Sequence, residues 1–255
     1  MKTKRQNAFQ GFSPRLFRFL WGLSENNSKD WFDLHSDEFV REVLEPAKAL
    51  VAEIGAVLGT LSPELEVEPK VGRTVSRINN GARFHNRPPF RPYLYLGFPR
   101  RGARWSSGSL LHVGLFPHGV SVGFYPGSPH KLRLGPIHES IKQNLRVFQK
   151  YLDQRRIPEK YFELGGKEGQ ATKWPLPTSA RRWVSLESFT VGEYFDSSEP
   201  VLGQRAFLDR ASRILLDLYP LCLFSRSANL REDLQLYDDN IRLLARPLSK
   251  SANQP

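Results

Sequence analysis

The order of hydrophobic patterns along this chain predicts an α+β fold: a single domain in which an antiparallel sheet is covered by helices. Three observations carry that expectation. Apolar residues recur at helical spacing up to residue 61, alternate with period two between residues 71 and 125, and return to helical spacing from residue 138. Helices and strands thus fall in blocks and do not alternate as βαβ units would.

Ser13-Pro14 opens the first helix, a capping hydroxyl followed by a proline whose missing N–H costs nothing at the first helical position. Leu16, Phe19, Leu20 and Leu23 then share a face. Asn26, Asn27 and Ser28 form a loop and a second cap before a long helical stretch over residues 29–61. Pro46 is expected to divide it into two helices, because it removes a backbone donor and clashes with the preceding turn. A linker at 62–69 leads to alternating segments at 71–78 and 93–98. Residues 110–116 and 120–125, separated by Pro117-His118-Gly119, read as a hairpin. A helix is expected over 138–155, with Ile141, Leu145, Phe148 and Leu152 in line. After a glycine-rich loop at 165–169 come a strand near 182–191 and a helix that Ser197 or Ser198 caps. Its stripe of Leu208, Ala211, Leu215 and Leu218 is expected to end at Pro220.

A chain of 255 residues with 40% hydrophobic and 25% charged content has the makings of one domain with a sizeable core. Residues 11–248 are assigned to that domain. Residues 1–10, basic and polar, and residues 249–255, without an apolar anchor, read as flexible ends. The lone cysteine, Cys222, excludes an internal disulfide and a Cys-based zinc cluster, and it reads as a small buried residue. The apolar run at 16–23 is interrupted by Arg18 and is too short to span a bilayer, so no membrane partner and a cytoplasmic setting are expected.

Charge supplies the functional hint. Residues 69–138 contain no Asp or Glu, yet carry eleven of the 37 Lys and Arg residues and five of the six histidines. The rest of the chain is balanced, so the net charge of +11 belongs to this window. Like charges without counter-ions repel one another and favour an anionic partner.

Several stretches carry a family resemblance. Phe9-Gln10-Gly11-Phe12 and the segment from Asn26-Asn27 through Trp31-Phe32 look like the opening of a bacterial and fungal family known as a domain of unknown function. Arg77-Ile78-Asn79-Asn80-Gly81-Ala82-Arg83-Phe84 resembles its motif Arg-x-x-Arg-Asp-x-Arg-Phe. Pro89-Phe90-Arg91 resembles the end of the Asp-Lys-x-Pro-Tyr-Lys that follows, and residues 186–224 are similar in layout to its closing strand and helix. Asn80 stands in place of the second arginine and Gly81 in place of the aspartate, while Arg87 and Pro88 stand near the Asp-Lys pair. The resemblance therefore implies a fold and a site, without the two family carboxylates and any acid–base or metal role they carry.

The anion-binding residues expected are Arg73, Arg77, Arg83, Arg87 and Arg91. On a strand, Arg73 and Arg77 would share a face, and guanidinium groups suit bidentate capture of phosphate or carboxylate. The competing reading pairs these arginines internally, with Glu232, Asp233, Asp238 and Asp239 as partners. Phe84, Phe90, Tyr93, Tyr95, Phe98 and Trp105 interleave with the charges and read first as core, with base stacking as the alternative. His85, His112, His118, His130 and His138 lack metal-ligand spacing and have no acidic neighbour in the window, so no metal is expected. His118 is expected to cap a turn, and His112 lies within a strand. Gly165-Gly166-Lys167 lacks P-loop spacing, and no Gly-x-Ser-x-Gly elbow occurs. The function expected is anion binding through an arginine-rich face, with nucleic acid or a phosphorylated ligand as partner and no cofactor. The alternatives are an enzyme acting on a phosphorylated or acidic small molecule, or an interaction protein for an acidic partner.

Overall fold

A computed structural model describes residues 8–80, 88–103, 110–127, 134–165, 172–187 and 189–245. Its first helix, α1 (Pro14–Glu25), follows the sequence signals: the Ser13 hydroxyl accepts from the Arg15 backbone N–H at 3.2 Å, and the Leu16, Phe19, Leu20 and Leu23 stripe is buried. Phe9, which the sequence assigns to the loose start, is buried against Phe12 and Phe207. Its backbone is strapped at both ends, the N–H donating to Glu53 at 2.6 Å and the carbonyl accepting from Arg205 at 2.8 Å. The Arg205 guanidinium holds the Glu53 carboxyl below its ordinary range.

Helices α2 (Lys29–Leu34) and α3 (Ser36–Glu38) lead into a π-helical stretch, Phe39–Leu44, and then α4 (Glu45–Leu61). Pro46 does not divide this region. The turn before it widens, Glu45 N–H reaching the Val40 carbonyl five residues back, and Pro46 falls in the first turn of α4, where a missing donor is tolerated.

Six strands form one antiparallel sheet in the order β1-β2-β3-β6-β4-β5. They are β1 (Leu94–Phe98), β2 (Leu110–Phe116), β3 (Gly119–Tyr125), β4 (Phe162–Gly165), β5 (Thr172–Pro175) and β6 (Val191–Asp196). The expected β2–β3 hairpin is present in full register, from Leu110 opposite Tyr125 to Phe116 opposite Gly119. The α+β class holds.

Five local expectations are corrected. Residues 71–78 are not a strand: Gly72 turns the chain at φ +86°, and the N–H groups of Arg73, Thr74 and Val75 all donate to the Lys70 carbonyl. An isolated bridge from Val75 to Leu96, with a bond from the Tyr95 N–H to the Ser76 hydroxyl at 2.9 Å, joins this segment to the edge of β1. The helix over 138–155 is two, α5 (Gly135–Gln143) and α6 (Leu145–Arg155), because the Asn144 side chain bonds back to the Ser140 carbonyl and breaks the turn. After α7 (Ile157–Lys160), the stretch near 182–191 begins as the short helix α8 (Ala180–Trp183), with Trp183 buried and its indole N–H on the Pro177 carbonyl; β6 starts only at Val191. A 3-10 turn, Pro200–Gly203, stands where Ser197 or Ser198 was expected to cap a helix, and α9 (Ala206–Arg226) runs straight through Pro220 to α10 (Leu230–Ala245).

Pro220 leaves the Leu216 carbonyl without its helical donor, and Tyr237 on α10 supplies one, its hydroxyl donating to Leu216 O at 3.0 Å. The helix continues because its defect is repaired from outside. α9 covers one face of the sheet, burying Leu111, Val113 and Leu115 of β2, Val120, Val122 and Phe124 of β3, and Val191 and Phe195 of β6.

The opposite face is built differently. Reading across four strands, Gly97 is opposite His112, His112 opposite Gly123, and Gly123 opposite Gly192. A Cβ on Gly123 would fall 2.2 Å from the Val191 carbonyl, and one on Gly192 would fall 2.2 Å from the Val122 carbonyl. Both obstacles are backbone, so neither can move aside cheaply.

Two expectations follow for stability in urea. Tyr237→Phe leaves a buried carbonyl without a donor and should cost about 1–3 kcal/mol. Gly192→Ala should cost a similar ~1–3 kcal/mol by forcing β3 and β6 apart. Unchanged unfolding midpoints would show that water replaces the Tyr237 hydroxyl, or that the strands part without loss.

Candidate functional site

The expected arginines do not lie on one strand face. Arg73 projects from the turn after Lys70 and pairs with Glu68, and with Glu66 at 3.6 Å. The turn itself is fixed by Thr74, fully buried, whose hydroxyl donates to the Glu68 carbonyl and accepts from the Lys70 N–H. Arg100 pairs with Glu64 through Nε and Nη2, each at 3.1 Å, and Arg101 donates from Nε to the Leu65 carbonyl at 3.1 Å. Backbone bonds from Glu66 N to Pro99 O and from Arg101 N to Glu64 O lay the two segments side by side.

Together Glu66, Glu68, Gly72, Arg73, Arg100 and Arg101 line a groove of about 610 Å³. Arg77 sits at its margin: a Cβ on Gly72 would lie 3.7 Å from the Arg77 Nε. It is exposed and has no partner among the described residues. Arg91 is half-buried and donates from Nε to Asn80 Oδ1 at 3.0 Å. Arg83 and Arg87 lie outside the described residues, as do Phe84, Trp105, His85 and His130.

The acids at 232–239 are engaged elsewhere. Asp238 accepts from the Tyr151 hydroxyl at 2.8 Å and lies 3.9 Å from Arg155, while Asp233 accepts from Ser227. The carboxylates that meet the window come from residues 64–68, just before it begins. That nearness was legible in the order of residues; that the chain would fold back on itself there was not.

The stretches that carry the family resemblance converge in space. Asn27 grips Phe90 by both backbone groups, its Oδ1 accepting from the N–H at 3.0 Å and its Nδ2 donating to the carbonyl at 2.9 Å. Phe32 stacks on the Phe90 ring at 4.2 Å. Asn80 also donates to Pro88 O at 2.6 Å. Phe90 and Phe98 are core residues, as expected. Asn80 therefore serves the loop and orients an arginine, whereas a second arginine at that position would not accept a hydrogen bond.

A separate cavity of about 350 Å³, on the sheet face away from α9, is lined by Tyr95, Leu110, His112, Tyr125 and Thr190. His112 is 4% exposed, and its Nδ1 has no hydrogen-bond partner among the described residues. Burial pushes the imidazole down to about 4, so it is neutral near pH 7. His118 lies in the β2–β3 turn, edge-on to Trp21 at 4.7 Å, and His138 is held down mainly by burial. Burial likewise pushes the Cys222 thiol up to about 11, so it offers no ready nucleophile. Among the described residues no three His, Cys, Asp or Glu side chains gather as a metal site, and no helix is long and apolar enough to cross a membrane.

An α+β domain with one face of its sheet covered by a long helix thus carries a cavity on the other face and an arginine-lined groove off the edge strand. The chain belongs to the conserved hypothetical protein family DUF2461, whose family model matches residues 15–224. No curated protein matches the chain.

The neutral state of His112 has a thermodynamic consequence. Unfolded, the imidazole takes up a proton below about pH 6.5; folded, it does so only near pH 4. Its contribution is thus fully present above pH 6.5 and is lost as pH falls toward 4, by at most about 3 kcal/mol. His112→Leu should lose less stability than the native chain between pH 7 and pH 4.5 in urea titrations. Equal losses in the two proteins would mean that His112 is solvated.

Proposed function

We propose that the protein binds a phosphate-bearing molecule of about nucleotide size in the groove between residues 66–73 and 99–103. The observation that carries this reading is the convergence of Arg73, Arg100 and Arg101 on one concave surface, with unpartnered Arg77 at its margin. The carboxylates already there do not bar an anion. The Arg73–Glu68 and Arg100–Glu64 pairs are at least half exposed on both sides, and exposed pairs contribute only ~0–1 kcal/mol each. A phosphate, with more charge and more acceptor oxygens than a carboxylate, competes well for a guanidinium fork. Concavity and the interspersed glutamates favour a small ligand over a long polyanion, which would meet Glu64, Glu66 and Glu68 as like charges. A cytoplasmic setting agrees with a ligand of this kind and with the sole thiol being buried.

The test is binding of ADP and of a short single-stranded oligonucleotide, each with chelator present, over a range of salt. ADP should bind with shallow salt dependence, and Arg73→Gln/Arg77→Gln should weaken it at least tenfold while the melting temperature changes little. An oligonucleotide site would instead show log affinity falling by about 0.7 per phosphate contact against log salt. No binding of either ligand at low salt, with a clear loss of stability in the double variant, would leave these arginines as structural residues.

A further inference from the structure

We propose that the cavity lined by Tyr95, Leu110, His112, Tyr125 and Thr190 is a second binding site, which takes a small, uncharged, planar aromatic molecule and hydrogen-bonds it at His112 Nδ1. Size follows from the volume of about 350 Å³, at the lower end of the range for small-molecule pockets.

Planarity follows from the walls. Two of the described lining residues, Tyr95 and Tyr125, are aromatic. A flat ring can lie against them, gaining dispersion and edge contacts.

The hydrogen bond follows from His112. A buried polar atom without a partner costs on the order of 1–3 kcal/mol, and side chains kept in that state have a role that repays it. His112 lines the cavity, with the Tyr95 ring edge-on to it at 6.0 Å. The ligand is uncharged because burial keeps this imidazole neutral and none of the described lining residues is charged. An ion placed here would be desolvated without compensation. The site is therefore distinct in chemistry from the arginine groove and does not depend on it.

The experiment uses the full chain labelled with nitrogen-15, with phenol and indole as probes, toluene as the matched ring lacking a hydrogen-bonding group, and benzoate as the charged counterpart. Histidine ring correlations report Nδ1 of His112 directly. Phenol or indole should shift that resonance saturably and bind at least tenfold more tightly than toluene or benzoate. Leu110→Trp, which fills the cavity from its wall, should abolish the shift, and Arg73→Gln/Arg77→Gln should leave it unchanged. Should Leu110→Trp fail to fold, His112→Phe should erase the preference for phenol over toluene. The proposal is overturned if no probe moves Nδ1 up to its solubility limit, which would assign the cavity to water. It also fails if toluene or benzoate binds as well as phenol.

Discussion

The burial of α9 between the sheet and the other helices sets the position of nearly everything else. It packs on β2, β3 and β6 from one side and on α4, α5 and α10 from the other, so its surface is apolar nearly all round over its second half. A helix in that place fixes which face of each strand is core: Leu111, Val113 and Leu115 turn toward it, and their neighbours Leu110, His112 and Gly114 necessarily turn away. The cavity beside His112 is thus a by-product of register. A slip of one residue in β2 would place His112 against α9 and Val113 in the cavity.

The basic window meets its counter-ions across a chain reversal. Glu64, Glu66 and Glu68 precede the first basic residue of the window, and the turn at Gly72 with the bridge from Leu65 to Arg100 brings both ends of the reversal alongside them. Self-repulsion is relieved locally, yet every ion pair there remains reachable by solvent. Ions held in this way organise the surface without committing it, and they leave the arginines available to a stronger competitor.

Much of this was legible in the residues. The caps at Ser13 and Ser28, the α1 stripe and the β2–β3 hairpin rest on local rules, and local rules were enough. Where they failed, hydrogen-bond partners outside the assumed regular pattern had decided the outcome. Alternation over 71–78 looked like a strand, but Gly72 and the Thr74 hydroxyl offered the backbone other partners. Pro46 and Pro220 looked like breaks, and each is absorbed, one by a wider turn and the other by Tyr237. The sheet face away from α9 had a signal that went unread: Gly97, Gly114, Ser121, Gly123 and Gly192 fall on that one side once the strands are in register. His112 was noticed as lying within a strand, but its isolation among glycines depends on pairing that no single segment reveals.

The bond between Tyr237 and the Leu216 carbonyl also bears on what counts as the folding unit. The family match closes at residue 224, two residues before α9 ends, whereas the hydroxyl that completes α9 comes from beyond that boundary. A fragment cut at the family boundary would leave that carbonyl to water, so the cooperative unit is longer than the family match.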